Sequence, residues 1–485
     1  MSVFCKRRTG PPEHCGRVRR VATRREFLRH FGGGLGAVAL ADLVHRESQA
    51  APHHRPRAKR VLLLFMSAGV SHVDTFDYKQ PALTRHAGKT LDQVLKADPK
   101  AITDVFFRKP GRLMPSPFRW ARQGETGHWV SELFPHVGRQ VDKLTFVHSM
   151  VAQENSHGPA MFHFSTGQPR NGYPSVGAWA VYGLGAESQN LPAFVVLMDR
   201  GMPPASTANW GNGFLPAEYQ GVVFHSDDEP IVDLTPPPSV SADEQAGTLE
   251  LLRRFNDAHR QRHPGESDFA ARIAAYELAA RMQMAAPEAA DLSRETQATH
   301  RLYGTDRSDP MFARFSRNCL LARRLLERGV RFVTVFSGGS NNVQDNWDAH
   351  KDIVANHTRN AQSVDQPIAA LLTDLERRGL LEETLVIWTG EFGRTPTSEG
   401  SRGRDHNISG FTLWMAGGGM KPGLSYGATD EFGFRAVENP VPIVDLHATI
   451  LHALGLDHER LTYYYDGMDR RLTGVAGRVV HELFG

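Results

Sequence analysis

The sequence predicts an α/β protein, with a mostly parallel central sheet and helices on both faces. Three observations lead there. Six short apolar runs recur along the chain, several followed by Gly/Ser/Thr-rich turns and then by helical periodicity. The runs are continuous rather than alternating, as expected of strands buried on both sides. The chain has 485 residues, 40% hydrophobic and 22% charged, which excludes wholesale disorder, collagen-like and coiled-coil readings.

The amino-terminal 50 residues stand apart. They hold ten Lys/Arg against four Asp/Glu, whereas the whole chain sums to +3. The body is therefore slightly acidic, and no nucleic-acid partner is expected. Thr23-Arg24-Arg25-Glu26-Phe27-Leu28 resembles the twin-arginine signature of bacterial export leaders. A Gly-rich, weakly apolar run from Phe31 to Val44 follows, and small residues close it near Ser48-Gln49-Ala50. Basic region, short apolar region and small-residue exit describe a cleavable leader over 1–50. The run is too short to span a ~30 Å hydrocarbon core as a helix. The resemblance implies the twin-arginine machinery as a partner and a periplasmic or secreted mature chain without stable membrane insertion. It also hints at a cofactor loaded before export.

Residues 51–60, basic and Pro/His-containing, read as a linker, and 61–485 as one α/β domain. The strands expected are Val61–Met66, Leu144–His148, Ala193–Met198, Phe332–Phe336, Leu385–Trp388 and Thr412–Met415. Ser363 to Arg378 is an amphipathic helix ended by Gly379, and Val444 to Leu454 another ended by Gly455. Residues 243–330, rich in Ala, Arg and Glu, read as a helical insertion broken at Pro264, Pro287 and Pro310. Residues 200–242 look like a long irregular excursion. Cys5 and Cys15 lie in the leader, so Cys319 alone remains and is expected as a core residue.

In open α/β sheets ligands bind beyond the carboxyl ends of the strands. The polar residues after the apolar runs are therefore the candidates. They include Ser67, Gly69, Ser71, His72, Asp74 and Asp77 after the first run, and Glu154 to His157 with His163 after the second. Asp345, Asp348 and His350 follow the Phe332 run, and Gly390, Glu391 and Arg394 follow Leu385–Trp388. Arg404-Asp405-His406 precedes the last. Carboxylates mixed with imidazoles suit a divalent ion.

Phe65 to Asp77 (FMSAGVSHVDTFD), Asn346-Trp347-Asp348-Ala349-His350, Gly390-Glu391-Phe392-Gly393-Arg394-Thr395-Pro396 and Gly403-Arg404-Asp405-His406 resemble the hallmarks of a bacterial family called domain of unknown function 1501. The likeness covers roughly 58–485. That family in turn resembles the alkaline phosphatase and sulfatase superfamily, through Thr389–Gly393, Val444–Leu451 and Ser165-Thr166-Gly167. The chain departs from that pattern in four places, one being the spacing of two between Asp348 and His350 where the phosphatases have four. His157 stands at the nucleophile position with Ser156 beside it, Ser67 replaces the first metal-binding Asp, and Phe392 replaces a His ligand.

The resemblance implies an alkaline-phosphatase-like fold and a metal-dependent hydrolase acting on a phosphate or sulfate ester, its substrate a small molecule or a glycan. The departures point to one metal or an altered site. The ion (zinc, calcium, manganese or magnesium) is expected on Asp348, His350 and His406, with Asp74 and Glu391. It would polarise an ester oxygen. Ser156 is the candidate nucleophile, His157 a ligand or general acid/base, and Arg394 the grip on an anionic substrate oxygen. The alternative is a catalytically degenerate member of the fold, an exported binding or scaffold protein.

Overall fold

The computed structural model describes residues 51–94, 111–225, 231, 234, 239–262, 267–339 and 346–485. The leader with its arginine pair, Cys5, Cys15, Pro264 and Asp345 lie outside the described residues. Contacts group Pro52–Gly485 as one compact unit.

All six apolar runs are strands of one nine-stranded sheet. They are β1 (Arg60–Met66), β2 (Leu144–Val151), β3 (Phe194–Met198), β5 (Phe332–Ser337), β6 (Thr384–Thr389) and β9 (Phe411–Ala416). The irregular excursion supplies an edge strand, β4 (Val222–Phe224), which the sequence did not announce because it is only three residues long. Strands β7 (Gly393–Glu399) and β8 (Gly403–Asn407) form a separate antiparallel hairpin, and β10 (Ser425–Tyr426) and β11 (Val441–Pro442) complete the main sheet. The order is β10-β2-β9-β6-β1-β5-β3-β4, with β11 also on β2. Only β9 runs against its neighbours, so β1, β2, β3, β5 and β6 end at the same edge.

Strand β1 shows why the runs are continuous. Leu62, Leu64 and Met66 face one core with α3 (Pro310–Glu327) and α4 (Ile353–Arg377). Val61, Leu63 and Phe65 face the other, with α1 (His157–Thr166), α2 (Val176–Leu184) and α5 (Ile443–Ala453). Helices thus cover both faces, and every second residue serves a different core. Each such side chain fully buried contributes roughly 1.5–3 kcal/mol. Cys319 is buried in the first core.

Three local readings need correction. Pro287 does not break the chain; it lies inside the helix Ser267–Ala290. It sits in the last turn, where one lost N–H bond is offset by burial of Ala286 and Ala289 in the core that holds Phe315. The helix expected to begin at Ser363 begins at Ile353, where the Asp352 side chain accepts from Val354 N and Ala355 N. The stretch read as a linker is fastened down: His53 N donates to Gly455 O, Ala58 N to Ala453 O and Lys59 N to Glu383 O, each at 2.8 Å. Among the described residues no helix is long and apolar enough to cross a membrane.

Candidate metal centre

The ends of β1, β2, β5 and β6 place the candidate residues over one edge of the sheet. After β1 the backbone turns sharply, with Ala68 at φ 80° and Gly69 at φ 78°. A non-glycine residue there costs on the order of 1–3 kcal/mol. The turn has two uses. Ala68 N–H donates to both oxygens of Glu391 at 3.1 Å, and the carbonyls of Ala68 and Gly69 accept from Arg394. A side chain at Gly69 would meet the Phe392 ring at 2.6 Å, so only glycine permits this approach.

Beyond β5, residues 347–350 alternate in burial. Trp347 and Ala349 turn into the core, and Trp347 N donates to Ser67 O at 3.0 Å. Asp348 and His350, two apart, are only partly buried and meet each other, His350 Nε2 lying 2.9 Å from Asp348 Oδ1.

Four ligand atoms converge there. Asp348 Oδ1 lies 2.9 Å from His350 Nε2, 3.3 Å from His406 Nε2 and 3.4 Å from His157 Nε2. His350 Nε2 and His406 Nε2 are 2.9 Å apart. All four atoms lie within 4.8 Å of one another. Donors about 2.0 Å from a tetrahedral ion stand about 3.3 Å from each other, so the spacing fits one ion. The histidines' other nitrogens are all held. His157 Nδ1 is 2.7 Å from Glu391 Oε1, His406 Nδ1 is 2.6 Å from Asn155 O, and His350 Nδ1 contacts Glu399. Anchoring Nδ1 on a carboxylate or carbonyl leaves Nε2 as the lone-pair donor, the usual outer support of a metal-binding imidazole. His157 Nε2 is buried and makes no hydrogen bond, standing 3.4 Å from Asp348 Oδ1, which fits a ligand atom aimed at a metal ion.

The electrostatics of the cluster agree. Burial would lower the His157 pKa, but the neighbouring carboxylates of Asp348 and Glu391 raise it to about 9. Burial, with Arg394 nearby, pushes His406 down to about 3. Burial would raise the Asp348 carboxyl, yet Arg394 and the three imidazoles hold it well below the usual carboxylate range. His157 therefore holds a proton that a bound cation would displace. Phe392, fully buried, packs its ring 4.5 Å from His406 and 5.1 Å from His157, and makes one wall apolar. A cleft of about 350 Å³ reaches Asp348 and His350 and is also lined by Lys351, Asn356 and Arg359.

The structure thus brings Asp348, His350, His406 and His157 together, and sets Glu391 behind His157. Asp74 is not among them. Both its oxygens bind the Arg404 guanidinium, at 2.6 and 3.1 Å, with Ser71 Oγ donating at 2.5 Å, and the pair is wholly buried. Arg394 does not face a substrate either. Its side chain is 0% exposed and donates to Gly69 O at 2.8 Å, to Ala68 O and to Asp348 Oδ1 at 2.6 Å. It positions the aspartate. Ser156 is exposed and occupies the N-cap position of α1, but its side chain makes no capping bond. Asn155, a candidate in the sequence, contributes its carbonyl, whereas the support Glu399 escaped sequence reasoning. Glu399 is brought close by the β7–β8 turn, where it pairs with Gly403, whose Cβ position would overlap His350 O. Nothing in the local sequence marks that contact.

Comparison with solved structures finds distant likenesses. One is phosphonate monoester hydrolase SpPMH from Silicibacter pomeroyi, 12% identical over 88% of this chain and 76% of that chain, TM-score 0.35. Another is PsFucS1 sulfatase from Pseudoalteromonas sp., 14% identical over 91% and 75%, TM-score 0.36. A third is alkaline phosphatase from the Antarctic bacterium TAB5, 10% identical over 82% and 98%, TM-score 0.33. Scores this low carry no argument about chemistry. No curated protein matches the chain. The model of one family, described as "Protein of unknown function (DUF1501)", matches residues 58–484, and the chain belongs to that family.

Proposed function

We propose that the chain is an exported metal-dependent hydrolase of the alkaline phosphatase and sulfatase type, acting on a phosphate or sulfate ester of a small molecule or glycan. The observation that carries this reading is the convergence of His157, His350 and His406 Nε2 with Asp348 Oδ1, each imidazole anchored through Nδ1. Three imidazoles and one carboxylate suit zinc or another transition ion better than calcium or magnesium, which prefer oxygen donors. Bound there, the ion supplies Lewis acidity toward an ester oxygen. Arg394 holds Asp348 in place, and Glu391 and Glu399 hold His157 and His350 in the tautomer that offers Nε2. Phe392 keeps water from one side of the cluster. Ser156, beside His157 and exposed, is the candidate nucleophile. The twin-arginine signature supports export.

A second reading has its own support. Four protein ligands satisfy a tetrahedral ion, as in closed structural sites, whereas catalytic sites keep a position open. On this reading the chain is an exported binding or scaffold protein stabilised by its metal.

Metal analysis of the purified protein tests the shared premise: about one ion per chain, lost in Asp348→Ala and His406→Ala. Activity of the zinc- or manganese-loaded protein on aryl phosphates and aryl sulfates then separates the two. Hydrolysis abolished by Ser156→Ala supports the covalent route. A loaded but inert protein selects the scaffold.

A further inference from the structure

We infer that Arg200 is a positioning residue for Asp348, acting through a chain of hydrogen bonds that also includes Asn360 and Asn346; this rests on the metal reading above. Arg200 follows β3, and its side chain is only 8% exposed. Its guanidinium reaches three elements at once. Nε donates to Asp199 Oδ2 at 2.9 Å, Nη1 to Asn360 Oδ1 on α4 at 2.6 Å, and Nη2 to Ser337 Oγ at the end of β5 at 3.0 Å.

Each partner hands the constraint on. Asn360 Nδ2 donates to Asn346 O at 2.8 Å, and Asn356 Nδ2 donates to the same carbonyl at 2.9 Å. Asn346 Oδ1 accepts from Asp348 N at 3.0 Å. Ser337 Oγ accepts from Trp347 Nε1 at 3.4 Å. Asp199 Oδ1 accepts from Gly338 N at 2.8 Å. The beginning and the end of the segment that carries Asp348 are therefore tied to one guanidinium. None of these residues is a ligand, and of them only Asn346 and Trp347 lie in the motifs. A planar fork is what the geometry requires: an ammonium would neutralise Asp199 but could not hold Asn360 and Ser337 in fixed directions.

Arg200→Lys keeps the charge beside buried Asp199 while losing the fork, and Asn360→Ala breaks the relay without touching a charge. The full chain and both variants are titrated with Zn²⁺ against a chelator, and their Co²⁺ complexes are recorded by absorption. Circular dichroism identifies folded variants, and Asn360→Ala carries the test should Arg200→Lys fail to fold. The expected result is Zn²⁺ affinity weakened about 10-fold or more, with altered Co²⁺ ligand-field bands. A merely structural role would leave those bands unchanged. Folded variants with unchanged affinity and unchanged bands overturn the inference. An unsubstituted chain that takes up neither ion overturns the metal reading itself, and that failure shows before any substitution is made.

Discussion

Asp74 and Asp348 both meet an arginine at the carboxyl edge of the sheet, and the two pairs are built differently. Asp74 gives both oxygens to Arg404, and neither side chain is exposed. Asp348 gives Oδ1 to Arg394, and the same atom faces three imidazoles beside an open cleft. Both carboxyls are held below the usual range, against burial that would raise them, chiefly by their arginines. The difference lies in what else the carboxylate can touch. A closed bidentate pair is framework. A shared oxygen with imidazole neighbours is a ligand set.

Substituting the closed pair gives the largest effect on stability. Asp74→Asn leaves the Arg404 charge buried and unbalanced, and should cost about 3–5 kcal/mol in denaturant unfolding. Metal affinity of the folded fraction should be retained. Specific loss of metal from a stable Asp74→Asn protein would erase the contrast.

Glu391→Gln tests the open site from behind. Metal affinity should fall by roughly 10- to 100-fold, because the anchor of His157 loses its charge. In the metal-free protein the His157 pKa should drop from about 9. The sign follows from its raised value. Protonated His157 contributes stability that is complete below its unfolded value near 6.5, and that is lost as pH rises through about 9. Unfolding free energy against pH, measured without metal, should show this decline in the native chain and a smaller one in Glu391→Gln. Identical curves would mean that Glu391 does not charge His157.

A third buried carboxylate extends the comparison. Asp365 has no arginine in contact and is held by His136 N at 2.9 Å and Val137 N at 2.8 Å. Burial outweighs those bonds and raises its pKa to about 6. A carboxyl raised on folding binds its proton more tightly in the native state, so stability should decline between about pH 4 and 6. Asp365→Asn should flatten that window and be the more stable protein at pH 8, by about 1–3 kcal/mol. Thermal melts across pH 4–8 check it, and an unaltered slope would assign the decline elsewhere.

Much of the framework was legible from the chain. All six apolar runs are strands because continuous Val, Leu and Phe can satisfy two cores only by alternating between them. Asp348, His350 and His406 stood out as polar residues after or before such runs, where strand ends deliver them. The failures have a common cause. Asp74 lies in a motif that looks as metal-bearing as that of Asp348, but its partner, Arg404, is 330 residues away. Arg394 has the chemistry to grip an anion, yet the Ala68–Gly69 carbonyls had already taken its donors. Glu399 carries no local signal, because it reaches His350 only through the β7–β8 turn.

The sequence by itself determined the parallel α/β frame, the two-sided helices and the edge where polar side chains gather, since periodicity and turn chemistry act over a few neighbouring residues. Only the tertiary structure decided which carboxylate would be closed off by an arginine and which would remain shared. That choice depends on hydrogen bonds between residues far apart in the chain, such as Arg404 to Asp74 at 2.6 Å, which no local pattern encodes.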